Sequence, residues 1–167
     1  MANLDNFWAT IADCRTRTSD LDELVSELTN TLKNRSVEEI LDFRLAFNEC
    51  RDRAYRWDLW GAAYVINGGC SDDGFDYFLG WLIAHGKEYY EAALQNPERA
   101  GDAVEPGDEV ECEDFWYVAG EAYEAATGKD DFYDQLPNRP SQELQGEYWD
   151  EDDLPRLFPE LWKRFGE

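Results

Sequence analysis

The chain has one histidine, His85, in 167 residues. Metal sites with two or three histidine ligands, including the HExxH helix of zinc proteases, are therefore excluded. Cysteine is almost as sparse. Cys14, Cys50, Cys70 and Cys112 are scattered, with no Cys-x-x-Cys spacing. Free thiols in a reducing cytosol are the simplest account, and two disulfides in a secreted chain are the alternative. The first fourteen residues have neither a positively charged start nor an apolar run, so they do not read as a signal peptide. No stretch approaches the roughly 20 apolar residues needed to span a bilayer. Basic residues are also few. Fifteen Lys and Arg stand against 38 Asp and Glu, for a net charge of −23. Repulsion from phosphate excludes DNA, RNA and anionic membrane surfaces as direct ligands. We expect a cytoplasmic protein with no cofactor, no metal and no catalytic residue.

Apolar material is plentiful. Aromatic side chains make up 15% of the chain, with 7 Trp, 9 Tyr and 9 Phe. A chain of this size with that many large side chains can bury a core. The low mean hydropathy of −0.68 reflects charge rather than a shortage of hydrophobic residues. The charge is uneven: residues 101–167 hold 20 acidic and 5 basic groups. That excess serves solubility, attraction to a basic protein, or mimicry of a nucleic acid. Regular phosphate-like spacing of carboxylates is absent, so mimicry ranks last.

The hydrophobic pattern is helical throughout. Leu4, Phe7, Trp8 and Ile11 form one stripe, and Leu21, Leu24, Val25, Leu28 and Leu32 another. Ser36 and Glu39 make a capping box for a third helix, predicted to run toward Ile66 with a bend, or the start of a second helix, near Arg56 and Trp57. Asn67, Gly68 and Gly69 end it. Ser71, Asp72 or Asp73 opens a further helix, predicted to continue to about Gln95. A loop covers residues 98–110, and a helix covers 111–127, closed by Gly128. Pro137, Pro140 and Gly146 break up the stretch after it. Pro155 and Pro159 fit the starts of short terminal helices. No strand alternation and no internal repeat is visible. The expected fold is mainly α, a compact multi-helix orthogonal bundle. Residues 1–128 would form the helical core, and residues 129–167 an irregular, acidic and aromatic-rich extension docked on it.

The run AAYVINGGCSDDGFDYFLGWLIAHGKEYYEAAL, residues 62–94, resembles the core of a bacterial family known as domain of unknown function 4240. YVAGEAYEAATG, at 117–128, is similar to that family's following helix, and DNFWATIA, at 5–12, to its start. The resemblance spans roughly residues 4–128. It implies a small, largely helical, cytosolic protein, and it implies no activity and no catalytic residues.

The turn at 67–74 is the leading candidate site. Asn67, Cys70, Asp72, Asp73 and Asp76 gather oxygen and sulfur groups at a helix start, where Trp60 and Trp81 are candidate apolar walls. Such oxygens suit Ca²⁺ or Mg²⁺, but the spacing is not that of an EF-hand loop. The competing reading is structural: Ser71 and the aspartates cap a helix and answer its dipole. Cys70 and His85 lie about 22 Å apart if one straight helix joins them, too far for a nucleophilic pair. His85, Trp81 and Glu88 are predicted to share a helical face as a hydrogen-bonded cluster. Tyr55, Trp57, Trp60 and Tyr64 form an aromatic group, Arg51, Arg53 and Arg56 a basic one expected to pair internally. Tyr148 to Asp153 is an acidic run with two aromatics. These features suggest a binding module that engages a basic protein partner. The alternative is a small-ligand protein or enzyme using residues 67–76.

Overall fold

The computed structural model describes residues 2–166. Nine α-helices and no β-strand occur among them, so the fold is mainly α. The helices are α1 (Leu4–Arg15), α2 (Leu21–Leu32), α3 (Val37–Arg53), α4 (Trp57–Asn67), α5 (Asp72–Ala84), α6 (Lys87–Gln95), α7 (Val118–Thr127), α8 (Leu154–Leu157) and α9 (Pro159–Phe165). Among the described residues, no helix is long and apolar enough to cross a membrane. The chain divides into two units, one of residues 2–50 and 113–141 and the other of residues 51–112 and 142–166. Residues 129–141 thus fold with the first unit and 142–166 with the second.

The first unit is capped as its sequence indicates. The Asn3 side chain accepts from the Asn6 amide, and Asp20 accepts from that of Glu23. At the head of α3, the Glu39 amide donates to Ser36 Oγ at 3.2 Å, and Ser36 Oγ bonds the Glu39 carboxylate. The buried faces of α1 and α3 meet through Phe7 and Phe43, with ring centroids 4.7 Å apart. Phe47 packs on Phe115 and, edge to face, on Trp116. Arg44 crosses this layer and donates to the Trp116 carbonyl at 3.1 Å. The predicted helix at 111–127 is tighter at its start: Glu113–Tyr117 forms a 3-10 turn before α7 begins. Gly128 closes α7 with a left-handed backbone, φ 73°.

In the second unit, the expected alternatives near Arg56 and Trp57 resolve as a new helix: the chain breaks at residues 54–56 and α4 begins at Trp57. The predicted helix from Ser71 to Gln95 is two helices. Gly86 has φ 96°, a value that side-chain-bearing residues rarely adopt, and it separates α5 from α6. Helix α4 is apolar around most of its circumference, with Leu59, Gly61, Ala62, Ala63, Val65 and Ile66 all buried. The chain's last helices cover one side of it. A Cβ at Gly61 would lie 2.5 Å from the Phe158 ring, so only glycine admits this approach.

Candidate functional site

The polar groups of residues 67–76 are largely occupied by the fold. The Asn67 side chain donates to the Val110 carbonyl and accepts from the Val110 amide, both at 3.3 Å. It thereby fastens the loop before the 3-10 turn at Glu113. Ser71 caps α5 by accepting from the Gly74 amide at 3.0 Å. Asp72 and Asp73 are exposed on the first helical turn, where the helix dipole favours them. Asp76 accepts from Arg51 at 2.8 Å. The Arg51 side chain is only 11% exposed, and its guanidinium lies 3.9 Å from the centre of the Tyr55 ring and also reaches Asp52. Arg53 pairs with Glu91 and Arg56 with Asp58, so the three arginines are neutralised internally, as expected. Among the described residues, no group of three or more His, Cys, Asp or Glu side chains is arranged to hold a metal ion.

Trp81 and His85 lie elsewhere. Trp81 is buried, the His85 ring sits 4.1 Å from it, and His85 Nδ1 is 2.9 Å from the Trp81 carbonyl. Glu88 falls beyond the Gly86 break and is exposed. Tyr89 packs on His85 and donates its hydroxyl to the Ala100 carbonyl at 2.6 Å. This cluster holds the segment after α6 in place.

Two of the predicted residues, Trp60 and Cys70, line a groove of about 680 Å³ together with groups from the end of the chain. Its construction begins at Arg56, whose extended backbone forms an isolated parallel bridge with Gln145. The Trp57 amide donates to Gln145 O at 2.9 Å, and the Gln145 amide donates to Tyr55 O at 3.2 Å. Gly146, with φ 88°, then turns the chain across α4. Trp149 enters beside Gly61 and donates its indole N–H to the Trp57 carbonyl at 2.6 Å. Its ring meets Trp57, Trp60 and Tyr64 edge to face. Trp57, Trp60 and Phe75 form a nearly parallel stack, with successive centroids 5.4 and 5.3 Å apart. Tyr148 stands over the edge of Trp57 and is 66% exposed.

Four carboxylates follow at once, from Asp150, Glu151, Asp152 and Asp153, and all line the groove. The Tyr64 hydroxyl donates to Glu151 at 2.5 Å, and Tyr148 donates to Asp150 at 3.2 Å. These bonds hold both phenols above their ordinary pKa, because ionising either would place two negative charges together. Asp153 is paired with Arg156, and the Asp150 amide with Arg156 holds its carboxyl below the usual range. Asp150, Glu151 and Asp152 have no basic partner among the described residues, and no basic residue lines the groove. Cys70 forms part of the wall. Burial pushes its thiol up to about 11, and the nearby Asp72 adds to the shift, so at neutral pH it is a neutral group and not a thiolate.

The sequence marks both halves of this groove, the aromatics of α4 and the acidic run, but nothing in it joins them, so Trp57, Tyr64, Tyr148 and Trp149 do not stand out as part of the site at residues 67–76. The available signal was Trp149 itself: a tryptophan in an otherwise polar, irregular stretch needs an apolar surface to cover it.

The family model for Protein of unknown function (DUF4240) matches residues 2–125, and the chain belongs to that family. No curated protein and no solved structure matches the chain. The acidic segment that completes the groove, residues 145–153, lies beyond the matched region.

Proposed function

We propose that this chain is a cytoplasmic binding module that engages a basic segment of a protein partner in the aromatic groove of its second unit. The observation that carries the reading is the pairing of exposed ring surface with unneutralised carboxylates. Trp57 and Tyr148 border the groove with ring surface and Trp60, stacked between Trp57 and Phe75, with its edge, and Asp150, Glu151 and Asp152 lie beside them without a basic partner among the described residues. A lysine or arginine side chain satisfies both at once, through cation–π attraction and charge-assisted hydrogen bonds. The net charge of −23 steers such a partner toward the surface and repels nucleic acid. Cys14, Cys50, Cys70 and Cys112 are thiols, which supports a reducing compartment.

The geometry gives less support to a small-ligand or catalytic role for residues 67–76. Asn67 and Asp76 have structural partners, and the groove beside Cys70 is lined by Asp150 to Asp153. The test is a titration of an acetylated, amidated peptide, Gly-Ser-Arg-Gly-Arg-Gly-Ser, followed by indole fluorescence at low salt. A saturable change that weakens with added salt and in the triple variant D150N/E151Q/D152N is expected. A flat titration would remove the proposal.

A further inference from the structure

The first unit carries its own groove, about 410 Å³ in volume, beside α7. Its floor is Gly120 backed by Phe132. A Cβ at Gly120 would lie 3.3 Å from that ring, so the glycine lets the ring close on the helix. Tyr117 and Tyr133 form the walls and are 42% and 58% exposed, among the few large apolar side chains so open to solvent. Tyr133 is already a cation-accepting ring within the unit, since the Arg44 guanidinium lies 5.5 Å from its centroid. Around the rings, four carboxylates face a single ammonium, Lys129. Glu121 and Glu124 stand on the exposed side of α7 and pair with no basic residue among the described residues.

We infer that this groove is a second, separate receptor for an arginine-bearing segment of a protein partner. The occupant follows from charge complementarity and ring geometry. A planar guanidinium stacks on a phenol ring while its N–H fork reaches carboxylates, which an ammonium cannot do in the same plane. The chain holds Arg51 this way, against Tyr55 and two carboxylates, and it sets Arg44 against the rings of Phe47, Trp116 and Tyr133 with its donors on the Asn48 side chain and the Trp116 carbonyl. The inference shares its partner chemistry with the proposed function and rests on different residues.

The experiment is an ¹H–¹⁵N NMR titration of the full chain with the same arginine peptide, and with its lysine counterpart. The Gly120 and Tyr133 amides report on this groove, and the Trp57 and Trp60 indoles report on the other. Saturable shifts at Gly120 and Tyr133 are expected. They should weaken by about tenfold in E121Q/E124Q, from the loss of two charge-assisted contacts. They should persist in D150N/E151Q/D152N, and the lysine peptide should bind less tightly. Shifts at the indoles alone would overturn this inference and leave the proposed function standing. Shifts at Gly120 and Tyr133 alone would do the reverse, and silence at both would overturn the two together. Shifts that E121Q/E124Q and Tyr133→Ala leave unchanged would mark diffuse charge screening and overturn the inference as well.

Discussion

Residues 67–76 and residues 145–153 both belong to the second unit, both are acidic, and both contain a glycine turn beside α4. They use their polar groups in opposite ways. In the first, side chains hold the fold: Asn67 clasps Val110, Ser71 caps α5 and Asp76 binds Arg51. In the second, the backbone and one indole hold the fold, through the Gln145 bridge and Trp149. Of the carboxylates that follow, Asp153 accepts from the Asp150 amide and pairs with Arg156, and Asp150, Glu151 and Asp152 have no basic partner among the described residues. The difference teaches that a run of aspartates marks a site only where the fold supplies no cation of its own. A dense acidic turn beside an available arginine is architecture.

The comparison breaks most severely at Trp149. Truncation to alanine removes a buried ring, its hydrogen bond to Trp57 and the contact that seats the acidic segment. Large-to-small changes of this kind cost about 3–5 kcal/mol. Urea unfolding of Trp149→Ala should show that loss, and peptide binding by the second unit should vanish with it. A drop below about 1 kcal/mol would mean that the segment is seated by something else.

Arg51 is the corresponding element of the turn. Arg51→Met removes the guanidinium from Asp76, Asp52 and the Tyr55 ring. Breaking a buried pair from one side costs about 3–5 kcal/mol, and the 30% exposure of Asp76 reduces this to about 2–3. In a double-mutant cycle, Asp76→Asn in the Arg51→Met background should cost less than in the native chain. Additive losses would show that the pair is not coupled.

Much of this contrast is legible in the sequence. The helical stripes, the Ser36–Glu39 box and the Gly68 and Gly128 caps follow from local rules, and local rules act within a few residues. The internal pairing of Arg51, Arg53 and Arg56 follows from the excess of acid over base, which does not say that Asp76 and Glu91, 25 and 38 positions away, are the partners of the first two. The break at Gly86 was less legible. A glycine inside an apolar helical pattern costs about 1 kcal/mol whether the helix continues or stops, so the pattern alone does not decide. The groove was least legible. It depends on Gln145 meeting Arg56 and Trp149 meeting Gly61, pairings about ninety positions apart along the chain. Periodicity carries no information about such distant partners.

Asn67 tests whether the turn is fastened from outside. Asn67→Ala removes both bonds to Val110 and leaves that residue's amide and carbonyl unpaired. Asn67 is exposed, so water replaces part of the loss, and the cost should be about 1 kcal/mol. Hydrogen exchange at Val110 should accelerate, while exchange within α5 stays unchanged. Equal acceleration throughout α5 would mean that the turn, and not the loop, depends on this side chain.

The smallest effect on stability gives the sharpest comparison. D72N/D73N removes two exposed charges from the first turn of α5, where the dipole interaction amounts to less than about 1 kcal/mol each. D150N/E151Q/D152N removes three charges that have no cation beside them, so the folded state loses little attraction and sheds some repulsion. The first variant should lower the urea midpoint slightly and leave arginine-peptide affinity nearly intact. The second should leave the midpoint level or raised and weaken affinity by about tenfold or more. Measured side by side, the two variants place stability in one acidic segment and recognition in the other. If both weaken the peptide equally, the partner responds to total charge alone, and the distinction between the segments is lost.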